Sequence, residues 1–129
     1  MGFSFMQSNQ RCRILAVDDT VANLFLLKTA LEEEGYEVDT ANNGSLALAK
    51  IEASPPSMVL LDVIMPGMTG VEVTRRIREN SLSASIPILI ISGSDEACVA
   101  EALDMGANDS IRKPVQIDEL LAKIRKLSC

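Results

Sequence analysis

The sequence contains no histidine and no tryptophan, and only 3% of its 129 residues are aromatic. The missing imidazole excludes Ser-His-Asp and Cys-His nucleophile activation, His-ligated zinc, and any phosphohistidine carried by this chain. Cysteine is scarce as well. Cys12, Cys98 and Cys129 are odd in number and form no C-x-x-C pair. A disulfide framework or zinc site is therefore not expected. The pattern fits a reducing compartment, with Cys12 and Cys98 as small core residues and Cys129 as a loose terminal thiol. No apolar run approaches the roughly 20 residues of a membrane span. The opening Met-Gly-Phe-Ser-Phe-Met has neither the basic region nor the sustained apolar stretch of a signal peptide. Basic residues are in deficit, 12 against 18 acidic, for a net charge of −6. That disfavours nucleic-acid binding, which neutralises phosphates with Lys and Arg. The expectation is a soluble, cytoplasmic protein with no direct nucleic-acid or membrane contact.

What is present is a chain that is 47% apolar, enough for one core and too short for a second full domain. Residues 1–10 carry no periodic pattern and read as a disordered tail, leaving 11–129 as the folded domain. From Arg13 the chain alternates between two apolar periods. Continuous runs Ile14–Val17, Met58–Leu61 and Ile88–Ile91 read as strands buried on both faces, while Tyr36–Thr40 alternates and Asp109–Arg112 is polar, as edge strands are. Between them lie helical patterns: Thr20–Glu34 through Val21, Leu24, Leu27 and Leu31; Gly44–Ala53 through Leu46, Leu48 and Ile51; one after Gly70 with Val73 and Ile77 inside; and Asp95–Met105. The last carries Ile117, Leu120, Leu121, Ile124 and Leu127 on one face. Arg75, Arg76 and Arg78, like the basic side of the last helix, read as solvated surface. Strands alternating with helices make an α/β fold, a doubly wound parallel sheet with helices on both faces. Right-handed crossovers and the buried-versus-edge pattern favour the order 2-1-3-4-5.

In such a sheet ligands bind beyond the carboxyl ends of the strands, where strand order reverses. Those ends carry Asp18 and Asp19, then Asp62, then Ser92, then Lys113. Adjacent strands lie about 4.8 Å apart, so Asp19 and Asp62 can face one small ion. Lys113 starts two strands from Asp62, roughly 10 Å away, a gap its long stem can largely cover. Carboxylates so close repel, raising at least one pKa unless a cation intervenes. An all-oxygen set with few protein ligands suits Mg²⁺. Lys113 and the Ser92 hydroxyl offer a charge and a hydrogen bond to phosphoryl oxygens, and a carboxylate such as Asp62 can serve as the nucleophile.

Asp18-Asp19, Asp62 followed by Met65-Pro66-Gly67-Met68-Thr69-Gly70, Ile91-Ser92-Gly93 and Lys113-Pro114 together resemble the receiver domain of two-component response regulators, a flavodoxin-like fold. The resemblance spans about residues 11–128. It implies that Asp62 accepts a phosphoryl group from a histidine kinase or histidine phosphotransfer protein, and that the chain is not a turnover enzyme. It implies Mg²⁺ (or Mn²⁺) held by Asp19 directly, by Asp18 largely through water, by Asp62 and by the Ile64 backbone carbonyl. Ser92, Lys113 and the Gly93 backbone would contact the phosphoryl group, with the Lys113–Pro114 bond cis. An unknown downstream protein or a separate output domain would read the state.

Two positions depart from that pattern. Where the family usually carries an aromatic residue whose rotamer follows phosphorylation, this chain has Ser110. With no ring to move, switching is expected to be weak or to run through the loop after Ser92. Ile64 and Ser94 flank the path of the attacking water, where relatives often carry acids or amides. An apolar Ile64 cannot orient water, so a long-lived aspartyl phosphate is expected. Among other readings, a haloacid-dehalogenase-type phosphatase needs an acid at position 64 and finds Ile64. A flavin carrier needs a phosphate-binding loop after the first strand, and no G-x-G-x-x-G exists. A phosphorylation-independent interaction domain with the same fold is the remaining alternative, which Ser110 keeps open.

Overall fold

The computed structural model describes residues 12–127; the expected tail over residues 1–10 lies outside the described residues. Five strands alternate with five helices: β1 Arg13–Val17, α1 Val21–Glu33, β2 Glu37–Ala41, α2 Gly44–Ala53, β3 Met58–Asp62, α3 Gly70–Glu79, β4 Ile88–Ser92, α4 Glu96–Asp104, β5 Asp109–Arg112 and α5 Ile117–Lys126. All pairings are parallel and the order is β2-β1-β3-β4-β5. Every residue of β3 and β4 is buried, whereas β2 and β5 at the edges are not. The continuous and alternating apolar runs therefore located the interior and edge strands correctly.

Side chains alternate across the sheet, and the core splits accordingly. Ile14, Ala16, Leu60 and Leu89 pack with Leu24, Leu27 and Leu31 of α1 and Leu120 and Ile124 of α5. Leu15, Val17, Leu61 and Ile90 pack with Ala47 and Ile51 of α2, Val73 and Ile77 of α3, and Ala102 of α4. Three helices start on side-chain caps, with Asn43, Thr69 and Asp95 accepting from the backbone N–H groups of Leu46, Glu72 and Cys98.

Several side chains depart from the sequence expectation. Val21, Leu46 and Ile117 are exposed, because α1, α2 and α5 each seat a narrower face than their apolar content suggests. In α2 the small residues Gly44 and Ala47 take the buried side, letting the helix approach α3 closely. Leu127 lies just past α5, at its C-cap. Arg78 is not simple surface: its guanidinium donates to the Gly106 carbonyl at 2.9 Å and to Asn108 Oδ1 at 3.0 Å, tying α3 to the α4–β5 connection. Cys12, expected as a free core thiol, is buried but disulfide-bonded, whereas Cys98 is free. The scarcity of cysteine thus misled on one point.

Gly70 sets the approach of α3 to β3. A Cβ there would stand 2.5 Å from the Asp62 carbonyl oxygen and 2.7 Å from Val63 Cα, whereas at Gly93 it would meet nothing within 4 Å. Gly70→Ala is expected to lose about 1–3 kcal/mol in denaturant unfolding, and Gly93→Ala to stay within about 0.5 kcal/mol. An unchanged midpoint for Gly70→Ala would mean that the β3–α3 junction yields freely.

Candidate functional site

The C-terminal ends of β1, β3, β4 and the segment after β5 deliver their residues to one edge. Leu61 pairs with Val17 and Asp62 with Ile91 in the parallel registers. Asp18, one residue past β1, is therefore brought beside Asp62, and Ser92 stands on the next strand. Asp18, Asp62 and Ser92 are buried, while Asp19 is exposed. Carboxylate oxygens of Asp18, Asp19 and Asp62 lie within 4.8 Å of one another. Lys113 reaches across from the end of β5. Its Nζ lies 3.5 Å from Asp62 Oδ2 and 3.6 Å from Asp18 Oδ2. Its backbone N–H donates to the Ser92 carbonyl at 2.7 Å, which fastens the base of the side chain to β4. The Lys113–Pro114 peptide is cis, as expected.

Each carboxylate is oriented by its neighbours. Asp18 accepts from the Thr20 N–H at 2.9 Å and from Asn23 Nδ2 at 3.2 Å. Asn23 escaped the sequence reading. Its only signal was an amide in the first turn of α1, five residues after the aspartate. Asp62 accepts from the Ile64 N–H at 3.3 Å. Burial, with repulsion from Asp18, pushes the Asp62 carboxyl above its ordinary value against the opposing pull of Lys113. Three carboxylates against one ammonium leave the pocket with surplus negative charge. An all-oxygen donor set of this kind fits a hard divalent cation.

Ser110 pairs with Ile90 and is half-buried. Beside it lies a cavity of about 200 Å³ lined by Ser92, Gly93, Glu96, Val99, Ser110, Ile111 and Arg112. Where a ring would fill space there is an opening, and it reaches back to Ser92. Across it Arg112 pairs with Glu96 at 2.9 Å, an exposed contact. Ile64 is 49% exposed beside the carboxylates, and Ser94 is exposed.

A five-stranded parallel sheet with an acidic, lysine-bridged pocket at its switch point defines a doubly wound α/β domain whose ligand site lies at the carboxyl edge of the strands. The family model described as "Response regulator receiver domain" matches residues 14–125, so the chain belongs to that family. Among curated proteins it is 40% identical over 117 residues to the response regulator PleD of Caulobacter vibrioides, covering 90% of this chain and 26% of that protein. It is 42% identical over 116 residues to the response regulator MprA of Mycobacterium leprae, covering 89% and 50% respectively. The chain thus spans between a quarter and a half of these relatives' length. Among solved structures, chemotaxis protein CheY4 of Vibrio cholerae aligns with a TM-score of 0.84 at 32% identity, covering 91% of this chain and 98% of that one. A CheY-like receiver domain from Methanospirillum hungatei aligns with a TM-score of 0.85 at 36% identity, covering 92% and 94%.

The raised Asp62 carboxyl has a consequence for stability. The folded protein holds that proton more tightly than the unfolded chain, so its contribution is present below about pH 4 and lost as pH rises through the folded value. At neutral pH without metal, Asp62→Asn is therefore expected to unfold at a higher temperature than the unaltered protein, with the gain shrinking toward pH 4. Mg²⁺ at a hundredfold excess over its dissociation constant should stabilise the unaltered protein by about 2.7 kcal/mol, and Asp62→Asn by much less. Scanning calorimetry in EDTA and in Mg²⁺ checks both. A less stable Asp62→Asn in EDTA would contradict the charge-repulsion account.

Proposed function

We propose that this receiver domain accepts a phosphoryl group on Asp62 from the phosphohistidine of a kinase or phosphotransfer protein, and that the phosphorylated form binds its downstream partner differently. The observation that carries this reading is the bridging of Asp18 and Asp62 by Lys113, with Nζ 3.6 Å and 3.5 Å from the two carboxylates, beside the buried Ser92.

Asp18, Asp19, Asp62 and the Ile64 backbone carbonyl would hold Mg²⁺ (or Mn²⁺), which supplies charge neutralisation for the transferring phosphoryl group. An Asp62 carboxylate oxygen forms the new P–O bond as the donor's P–N bond breaks. The electron pair returns to the imidazole nitrogen, which takes up a proton. Lys113 and the Ser92 hydroxyl hold phosphoryl oxygens, and the Gly93 backbone N–H adds a donor. The absence of histidine from this chain means that the donor imidazole belongs to another molecule or another part of a longer one. The chain acts as an acceptor, not as an enzyme turning over free substrates. A cytoplasmic site of action fits a phosphoryl donor charged from ATP.

With no ring at position 110, the phosphorylated state is transmitted through the Ser92–Asp95 loop. Phosphorylation is expected to shift backbone amide resonances between residues 93 and 117; identical spectra for the two forms would favour a phosphorylation-independent interaction domain instead. Acetyl phosphate with Mg²⁺ should add one phosphoryl group to the unaltered chain and none to Asp62→Asn, read by intact mass. Labelling of both, or of neither, would overturn the assignment.

Ile64 presents an aliphatic side chain where water must approach the phosphorylated carboxylate. The aspartyl phosphate is therefore expected to be long-lived, and Ile64→Asn to shorten its half-life. A single water-positioning hydrogen bond of about 1 kcal/mol corresponds to roughly fivefold in rate. Rapid spontaneous phosphate loss from the unaltered protein would refute the expectation.

A further inference from the structure

Between the first turns of α4 and the sheet beneath them the packing is incomplete. Ser92 pairs with Arg112 and Ile90 with Ser110 across β4 and β5, so these four side chains share one face of the sheet. α4 covers that face: Ile90 belongs to the core layer of Ala102, and Val99 packs against the same layer. The short side chains of Ser92 and Ser110 leave the layer unfilled, and the cavity of about 200 Å³ results. On its loop side the space is open, since a Cβ added at Gly93 would meet nothing within 4 Å.

We propose that this cavity is a binding site for a small neutral ring carrying one hydroxyl, of which phenol is the simplest. Size is the first argument. A cavity of about 150 Å³ is enough to hold benzene, and the greater volume here admits the hydroxyl as well. The walls are the second. Val99 supplies an apolar surface, and the Ser110 hydroxyl can both donate and accept. The backbone of Ser110 is engaged elsewhere: its N–H donates to Asp109 Oδ1 at 2.8 Å and its carbonyl accepts from Lys123 Nζ at 2.9 Å. Its hydroxyl has no hydrogen-bond partner among the described residues. One such polar group beside an apolar wall fixes the orientation of a small ligand.

Charge argues for a neutral occupant. Glu96 and Arg112, which also line the cavity, pair with each other at 2.9 Å. A cation would find its carboxylate already taken. An anion would face the Asp18, Asp19 and Asp62 cluster beyond Ser92. A rigid ring is favoured over a chain of equal volume because it has no torsions to freeze on binding. Once bound, the ring fills the gap between α4 and β5.

The test titrates the full chain with phenol, and separately with toluene, which matches it in size but lacks the hydroxyl. NMR is the readout. Phenol is expected to give saturable shifts of the Val99 methyls and of the Gly93 and Ser110 amides, with the Leu24 and Ile51 methyls unmoved. Toluene is expected to bind about fivefold more weakly, the worth of one neutral hydrogen bond. In Ser110→Ala the two ligands should bind alike, and in Val99→Phe, where a ring of the protein's own occupies the space, neither should bind. Should Val99→Phe fail to fold, Ser110→Ala, which removes a single oxygen, still decides the matter. Shifts that never saturate, equal shifts at the exposed Val21 and Leu26 methyls, or phenol affinity unchanged in Ser110→Ala would overturn the proposal. No phosphoryl group takes part, so failure here is distinguishable from failure of the phospho-acceptor reading.

Discussion

The ammonium of Lys113 stands between two buried carboxylates, 3.6 Å from Asp18 and 3.5 Å from Asp62, and the upper edge of the sheet is organised around it. Without that charge, Asp18 and Asp62 would face each other across adjacent strands with only hydrogen bonds from Thr20, Asn23 and Ile64 to offset the repulsion. Lys113 can play this part because a parallel sheet brings every strand's carboxyl end to one edge. Its side chain starts beyond β5, is fastened to β4 through the Ser92 carbonyl, and ends over β3. An antiparallel arrangement would carry some of these residues to the opposite edge.

One cation is still too few for three carboxylates. The shortfall is concentrated at Asp62, where burial holds the carboxyl above its ordinary value. A pocket that resists its own charge needs rigid support, and β3 provides it: Met58, Val59, Leu60 and Leu61 are completely buried. Gly70 adds to that support, since α3 packs against the Asp62 carbonyl at a distance that admits no side chain. The same surplus negative charge suits the pocket to a hard divalent cation. Repulsion among the carboxylates and their fit to a hard cation thus have a common origin.

Strand order and the residues that meet in the pocket were legible in the sequence, because buried strands leave continuous apolar runs and the residue that follows each run stands at the carboxyl edge. Asp62 after Met58–Leu61 and Ser92 after Ile88–Ile91 are the clearest cases. Helix faces were less legible. In α2 the sequence shows leucines at 46 and 48, yet the buried contacts come from Gly44, Ala47 and Ile51, because close helix approach selects small residues that carry little hydrophobic signal. Arg78 read as surface since its partners, Gly106 and Asn108, are nearly thirty positions away. Asn23 was invisible for the opposite reason: an amide in a first turn is common, and only the fold aims it at Asp18. The Cys12 disulfide could not be inferred from three unpatterned cysteines.

Ser110 shows how one small residue alters the mechanics of the whole edge. The cavity beside it removes packing between β5 and the first turn of α4, leaving the exposed Arg112–Glu96 pair as a link across it. Exposed pairs of this kind contribute about 0–1 kcal/mol, far less than a buried aromatic ring would through contact with its neighbours. Resistance to displacement is therefore unequal around Ser92. On the β3 side the residues are fully buried; toward α4 they face a void and a solvent-screened charge pair. The less packed side of Ser92 is therefore the Gly93–Asp95 loop and the start of α4. With serine rather than a ring at position 110, the least packed neighbour of Ser92 is a loop and not a side chain.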